Sequence, residues 1–279
     1  MIVVTGANGH LGRLVVAALK AELPDDQIVA AVRSPEKATD LGVPVRKADY
    51  DDPATLATAF AGAEQVLLIS GSEVGKRVGQ HRAVVDAART AGVRHLVYTS
   101  APKADTTPLI LAPEHKATEE LIRASGVPFT FLRNGWYNEN YLPAIEQAVN
   151  TGTFAGSAGQ GRVASAARAD YAAAAVAVLT TNGHENKVYE LSGDVSWTYE
   201  DLAAEIAKAT GKTISYTDLT AEQHTAALLE AGLPEETAGF VVALDGDTRA
   251  GLLGEVTGDL RALIGRPSTP IGETVAAAV

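Results

Sequence analysis

Met1-Ile-Val-Val-Thr-Gly6-Ala-Asn-Gly9-His-Leu-Gly12 decides the fold. Ile2 to Val4 is a short β-branched run with no polar break, as a strand buried on both faces requires. A turn carrying Gly6, Gly9 and Gly12 follows, and then an apolar-periodic stretch through Leu14, Val15, Ala18 and Leu19 that predicts a helix. The turn needs glycine for a tight reversal and for a backbone that approaches a pyrophosphate with no Cβ in the way. Such an anion meets unpaired N–H groups at the positive end of the helix dipole. Glycine-rich turns are common, but strand, glycine turn and helix in succession read as a dinucleotide site.

Outward from this unit, β-rich runs alternate with helical ones, which implies βαβ units and a parallel sheet. Strands are predicted at 27–32, 44–48, 65–69, 94–98 and 128–132, with helices at 35–41, after Pro53 to Phe60, at 75–91 and at 114–124. Right-handed crossovers build such units into a doubly wound sheet whose ligands lie outside the strand carboxyl ends. After Gly135 the pattern changes: a helix at 136–149, a glycine-marked loop section, an Ala-rich helix opened by Arg168, a strand at 187–191, a helix at 198–210 and a strand at 214–216. The expectation is an α/β protein. A Rossmann-type, doubly wound parallel sheet occupies residues 1–135 and receives some later segments. A smaller α/β C-terminal lobe occupies 136–279, with a substrate cleft between the two.

Composition narrows the function. A net charge of −11 over 279 residues, with no basic run, argues against a nucleic-acid partner. No cysteine is present, so disulfides, thiolate nucleophiles and Fe–S centres are excluded. The six histidines show no spacing suited to a metal site. The apolar stretch around 171–179 is too short to span a bilayer, and no export signal is visible at the N-terminus. These features lead to the expectation of a cytoplasmic protein with no membrane partner. Ala-rich helices would permit a homodimer without showing one.

The tip of the second strand selects the cofactor. A site for NAD usually carries Asp or Glu there to bind the ribose 2′-hydroxyl. This chain carries Arg33, followed by Ser34. A guanidinium grips a 2′-phosphate that a carboxylate would repel, so the cofactor read from the sequence is NADPH. Lys37 offers a second charge from the following helix, against the preferred reading of a solvated face.

The glycine turn, Arg33-Ser34-Pro35, Ser70-Gly-Ser-Glu73, Leu132-Arg-Asn-Gly-Trp-Tyr137, Gln80-His81-Arg82, Arg168-Ala-Asp-Tyr171 and Lys187-Val-Tyr-Glu-Leu191 together carry a resemblance over nearly the whole chain. It resembles the NmrA-like branch of the atypical short-chain dehydrogenases/reductases, and within it the bacterial quinone-reducing members. The resemblance implies a diffusible NADPH, no flavin and two-electron reduction of quinones. It places the cofactor on Gly6, Ala7, Asn8, Gly9, His10, Leu11 and Gly12, on Arg33, on Ile69, Ser70, Ser72 and Glu73, and around Tyr137. A ligand role for Arg168 stands beside capping and ion pairing by Arg168 and Asp170.

Typical short-chain reductases donate a proton from a Tyr with Lys four residues later, aided by a Ser after the fifth strand. None of the eight tyrosines here has Lys at that spacing. Ser100 and Lys116 match the serine and lysine positions, but Ala112 stands where the tyrosine would be. Ketone reduction leaves an alkoxide that needs general acid catalysis, worth about 10²–10⁴ in rate. Quinone reduction leaves a weakly basic hydroquinone anion that water protonates, so proximity to the nicotinamide suffices. Candidate substrate contacts after the sixth strand are Asn134, Trp136, Tyr137, Asn138, Asn140 and Tyr141, with core packing as the alternative for each aromatic. Two functions follow: a small-molecule quinone reductase using NADPH, or a non-catalytic NADP(H) redox sensor acting on a partner protein.

Overall fold

Along the first strand, β1 (Ile2–Thr5), successive side chains enter different cores: Ile2 and Val4 pack on one side of the sheet and Val3 on the other. That alternation is the strand period of two with both faces covered. A computed structural model describes residues 1–279. β1 is followed by α1 (His10–Lys20), β2 (Ile28–Val32), β3 (Val45–Lys47), α2 (Pro53–Ala59), β4 (Gln65–Leu68), α3 (Arg77–Thr90), β5 (His95–Ser100), α4 (Ala112–Ser125) and β6 (Phe129–Asn134). Then come β7 (Trp136–Tyr137), α5 (Leu142–Thr151), β8 (Thr153–Gly156), β9 (Ser165–Ala166), α6 (Arg168–Thr180) and β10 (Lys187–Leu191). The chain closes with α7 (Tyr199–Thr210), β11 (Ser215–Asp218), α8 (Ala221–Glu230), α9 (Glu235–Arg249), α10 (Asp259–Ile264) and α11 (Ile271–Ala278).

Seven strands form one parallel sheet in the order β10-β6-β5-β4-β1-β2-β3. The strand order reverses between β1 and β4, and a crevice opens there at the carboxyl ends. On one face α1, α6 and α10 bury Leu11, Val15, Tyr171 and Leu260. On the other, α2, α3 and α4 bury Phe60, Val84 and Ile122 against Tyr98 and Phe131. β10 returns from the later part of the chain and pairs with β6, Tyr189 opposite Leu132. A third core gathers Tyr141, Phe154, Trp197, Tyr199, Ile206 and Val275 around α5, α7 and α11, beside the parallel pair β8 and β11. α7 starts where Thr198 and Asp201 cap each other reciprocally, as its sequence signals.

Two local expectations are corrected. Residues 35–41 form two single 3₁₀ turns, Pro35–Lys37 and Thr39–Leu41, not one α-helix. Ala38 departs from helical angles between them, and the Lys37 carbonyl accepts a hydrogen bond from Arg13. The helix expected over 136–149 begins at Leu142. Trp136 and Tyr137 are extended and paired with Ser165 and Ala166, and Pro143 sits in the first helical turn, where its missing N–H costs nothing.

Candidate active site

The glycine turn floors a cleft of about 650 Å³ at the sheet's switch point. Gly6 has φ of +60°, a conformation open to glycine, and its carbonyl accepts from the Gly9 N–H at 2.9 Å. A Cβ on Gly12 would lie 2.6 Å from Ala7 Cα, so only glycine lets α1 start this close to the loop. Gly9 caps α1 without a side-chain acceptor, which leaves the first-turn N–H groups available to an anion. Gly6, Asn8, Gly9, His10, Leu11 and Gly12 all line the cleft; Ala7 is buried beneath it. Arg13 braces the loop from outside. It donates to the Asn8 side chain and carbonyl, to Asp40 at 2.7 Å and to the Lys37 carbonyl at 2.9 Å.

At one end of the cleft stands Arg33, exposed at the tip of β2, with Nη1 3.1 Å from Glu73 Oε1. Lys76 first, and Arg33 with it, holds the Glu73 carboxyl below its ordinary range. Ile69, Ser70, Ser72 and Glu73 line the facing wall. Tyr50, Asp49, Gln80 and Thr99 line it too, and the sequence reading assigned none of them to the site. Asp49 and Tyr50 follow β3, so the carboxyl-end rule could have found them, but the acidic run read only as a turn before a helix. Tyr50 donates to Thr5 Oγ1 at 2.6 Å, tying β3 to β1.

At the other end, Tyr137 lines the cleft with the Arg168 guanidinium 4.8 Å from its ring centroid. The Arg168 backbone N–H is capped by Glu139, at 2.9 and 3.0 Å, and Asp170 pairs with Arg266 at 2.7 Å, so the Arg168 side chain serves neither purpose. Asn134 is buried and donates to the Tyr137 hydroxyl at 3.2 Å, while its Oδ1 has no partner. Whichever way this amide is turned, one of its polar ends stays unpaired, and Asn134 itself sits behind Tyr137 and does not line the cleft. Burial lifts the Tyr137 phenol above its ordinary pKa, partly offset by Asn134 and Arg168.

Six further candidates lie away from the cleft. Ser100 is buried and donates to Glu119 Oε1 at 2.6 Å. Strand alternation explains this: Thr99 lines the cleft, so Ser100 points to the opposite face. Lys116 is exposed on α4. Asn138 is fully buried and saturated, donating to Thr269 O at 3.0 Å and Thr274 Oγ1 at 2.9 Å and accepting from Ser165. Trp136 packs on the third core and Tyr141 lies within it, edge-on to Trp197. Asn140 is exposed on the 3₁₀ turn before α5. No group of three His, Cys, Asp or Glu side chains is arranged to hold a metal, and no helix is long and apolar enough to cross a membrane.

A parallel sheet with a glycine cradle at its switch point defines a dinucleotide-binding protein. The chain belongs to the NAD(P)H-binding family, which it matches over residues 6–182. It is 49% identical to quinone oxidoreductase 2 of Escherichia coli (strain K12), covering 99% of this chain and 97% of that protein. The crystal structure of that NADPH-dependent quinone oxidoreductase complexed with NADPH superposes with a TM-score of 0.96 at 48% identity over 99% of both chains. The Citrobacter triphenylmethane reductase complexed with NADP(H) gives 0.96 at 39% identity over 100% of both chains. NmrA, a negative transcriptional regulator solved with NAD, shares the fold at 16% identity and a TM-score of 0.72 over 99% of this chain and 94% of that one. The resemblance read from the motifs agrees with these relationships.

Proposed function

We propose that the protein is an NADPH-dependent quinone oxidoreductase that works without a flavin or a tyrosine proton donor. The observation that carries this is the composition of the cleft: an anion cradle and a cation at one end, and at the other the Tyr137 ring, backed by the buried Asn134 amide, with no acid–base relay. The residues fit the cofactor. Gly9 leaves the first-turn N–H groups of α1 without a side-chain acceptor, and Asn134, behind Tyr137, holds a buried polar atom without a partner. Gly6 to Gly12 would hold the pyrophosphate, Arg33 the 2′-phosphate, and the Ile69–Glu73 turn and Tyr137 the remaining cofactor surfaces, with Arg168 backing Tyr137. Bound NADPH supplies the hydride. The chain's own part is to hold a flat acceptor against the Tyr137 ring, whose hydroxyl the buried Asn134 amide fixes at 3.2 Å. Ser100 is committed to Glu119, and the Tyr137 phenol bonds to Asn134 rather than to a lysine. Water therefore protonates the product anion, which suits a quinone and not a plain ketone. Kinship at 49% identity with a quinone oxidoreductase supports the same substrate class. In this reading the Rossmann part spans 1–135 with later segments added, and 136–279 supplies the smaller substrate lobe.

The test is NADPH oxidation with a panel of benzoquinones and naphthoquinones, wild type against Arg33→Glu. The expected result is quinone-dependent turnover that the substitution weakens with NADPH and not with NADH. Binding of NADPH with no turnover of any quinone would replace this reading by the redox-sensor one.

A further inference from the structure

The turn that follows β4 faces the cleft with one side, and two buried side chains grip its other side. Gly71 donates its N–H to His81 Nε2 at 3.0 Å, and its carbonyl accepts from Arg77 Nε at 2.8 Å. Just before it, the Ser70 N–H donates to Thr99 Oγ1 at 2.9 Å; just after it, the Gly75 N–H donates to Glu114 Oε1 at 2.9 Å. Arg77 and His81 are four residues apart on α3 and share one helix face. Glu114 and Thr118, four apart on α4, meet them pairwise: Arg77 Nη1 to Glu114 Oε2 at 3.0 Å, and His81 Nδ1 to Thr118 Oγ1 at 3.0 Å. The Thr118 hydroxyl spends its own proton on the Glu114 carbonyl at 2.8 Å, so Nδ1 carries the imidazole proton and Nε2 is left as a lone-pair acceptor aimed at Gly71. His81 is fully buried and Arg77 is 5% exposed, which makes these bonds costly to break and the turn rigid.

We propose that His81 and Arg77 are positioning residues that fix the Gly71 peptide, and so hold the cleft-lining Ser70–Ser72 turn in the conformation that receives the cofactor. Neither residue lines the cleft. They act through the backbone they hold, and the ligand they serve is the NADPH of the proposed function, on which this inference rests. A side chain that served only to fill the core would affect stability alone. His115 provides that comparison: it is also buried, bonds Tyr98 Oη at 2.7 Å, and makes no hydrogen bond to the turn.

The experiment compares His81→Ala, His81→Gln, Arg77→Lys and His115→Ala by direct NADPH titration, amide hydrogen exchange at residues 70–72, thermal unfolding, and the split between KM and kcat. His81→Ala is expected to raise the NADPH Kd about tenfold, the size of one buried hydrogen bond lost from a binding surface. It should speed exchange at Gly71 and raise KM by more than it lowers kcat. His81→Gln restores an acceptor and recovers most of the affinity. His115→Ala lowers the unfolding temperature as much and leaves the Kd alone. Where His81→Ala does not fold, Arg77→Lys replaces it, since it keeps the charge beside Glu114 and loses the bond to Gly71 O. An unchanged Kd and unchanged exchange in the His81 or Arg77 variant, or an equal loss of affinity in His115→Ala, overturns the proposal. A wild type that binds no NADPH overturns the cofactor reading instead, and the exchange measurement then still decides whether the clamp holds the turn.

Discussion

Arg33 Nη1 lies 3.1 Å from Glu73 Oε1, so the cation at the tip of β2 and an acid on the facing wall meet across the mouth of the cleft. Both side chains are largely solvated, and an ion pair in that setting is weak. A phosphate dianion that accepts two charge-assisted hydrogen bonds from a guanidinium outcompetes it. With Arg33 in its proposed role, Glu73 opposes NADPH and leaves a cofactor without a 2′-phosphate nearly indifferent. Glu73→Gln is expected to tighten NADPH a few-fold at most and to leave NADH unchanged, measured as the ratio of their Kd values. An equal effect on both cofactors would place Glu73 outside this competition.

Gly12 carries a steric prediction. Its missing Cβ is what lets α1 start against Ala7, and Gly12→Ala drives a methyl into backbone on that side. Overpacking of this kind costs about 1–3 kcal/mol. Thermal unfolding should register that loss, and NADPH titration should register a larger loss of affinity than the destabilisation alone explains, because the loop itself must move.

Ser100 belongs to a buried ion pair and not to the chemistry. Arg133 grips Glu119 with two hydrogen bonds of 2.9 and 2.7 Å, and Ser100 adds a third to the same carboxylate. Ser100→Ala is expected to leave quinone turnover unchanged and to cost about 0.5–1.5 kcal/mol in stability. Glu119→Ala leaves Arg133 paired with Asp105 and Glu190, at 2.9 and 2.8 Å, but removes its buried partner and should cost about 1.5–3 kcal/mol. Urea unfolding beside a turnover assay checks both, and a collapse of turnover in Ser100→Ala at full stability would return the serine to the mechanism.

Stability should fall in acid through two histidines. Burial first, and the Arg77 charge second, pushes His81 and His115 from 6.5 down to about 3. The folded state keeps both imidazoles neutral, whereas the unfolded chain binds protons below its own value near 6.5. Their contribution is therefore complete above about pH 7 and is lost as the pH falls from 6.5 towards 3. Each histidine removes about 1.4 kcal/mol per pH unit once the unfolded value is passed. Urea unfolding at pH 7 and pH 5 measures the slope, and His115→Gln should flatten it.

Much of this was legible in the chain. The strand–glycine–helix order, the residues of the cradle and the Arg33 tip are local signals, each set by backbone geometry or charge within a few residues. The return of β10 beside β6 was legible only as a strand, since pairing is a tertiary choice. The stretch after Asn134 misled for a physical reason: Trp136 and Tyr137 have helix-compatible neighbours, but their backbone is claimed by Ser165 and Ala166, far along the chain. Asn138 likewise looked like a free amide until Thr269, Thr274 and Ser165 were folded around it. Tyr50 and Thr99 were missed because each stands beside a residue with a louder signal, the acidic turn in one case and Ser100 in the other.

The most direct test of the central claim is a single-turnover reaction of flavin-free protein with a benzoquinone and NADPH deuterated at the transferred position of the nicotinamide ring. The account predicts quinone-dependent oxidation well above the uncatalysed rate, slowed by the deuterium, with the label leaving the cofactor. Tight NADPH binding with no oxidation, or oxidation that appears only when flavin is added, would contradict it.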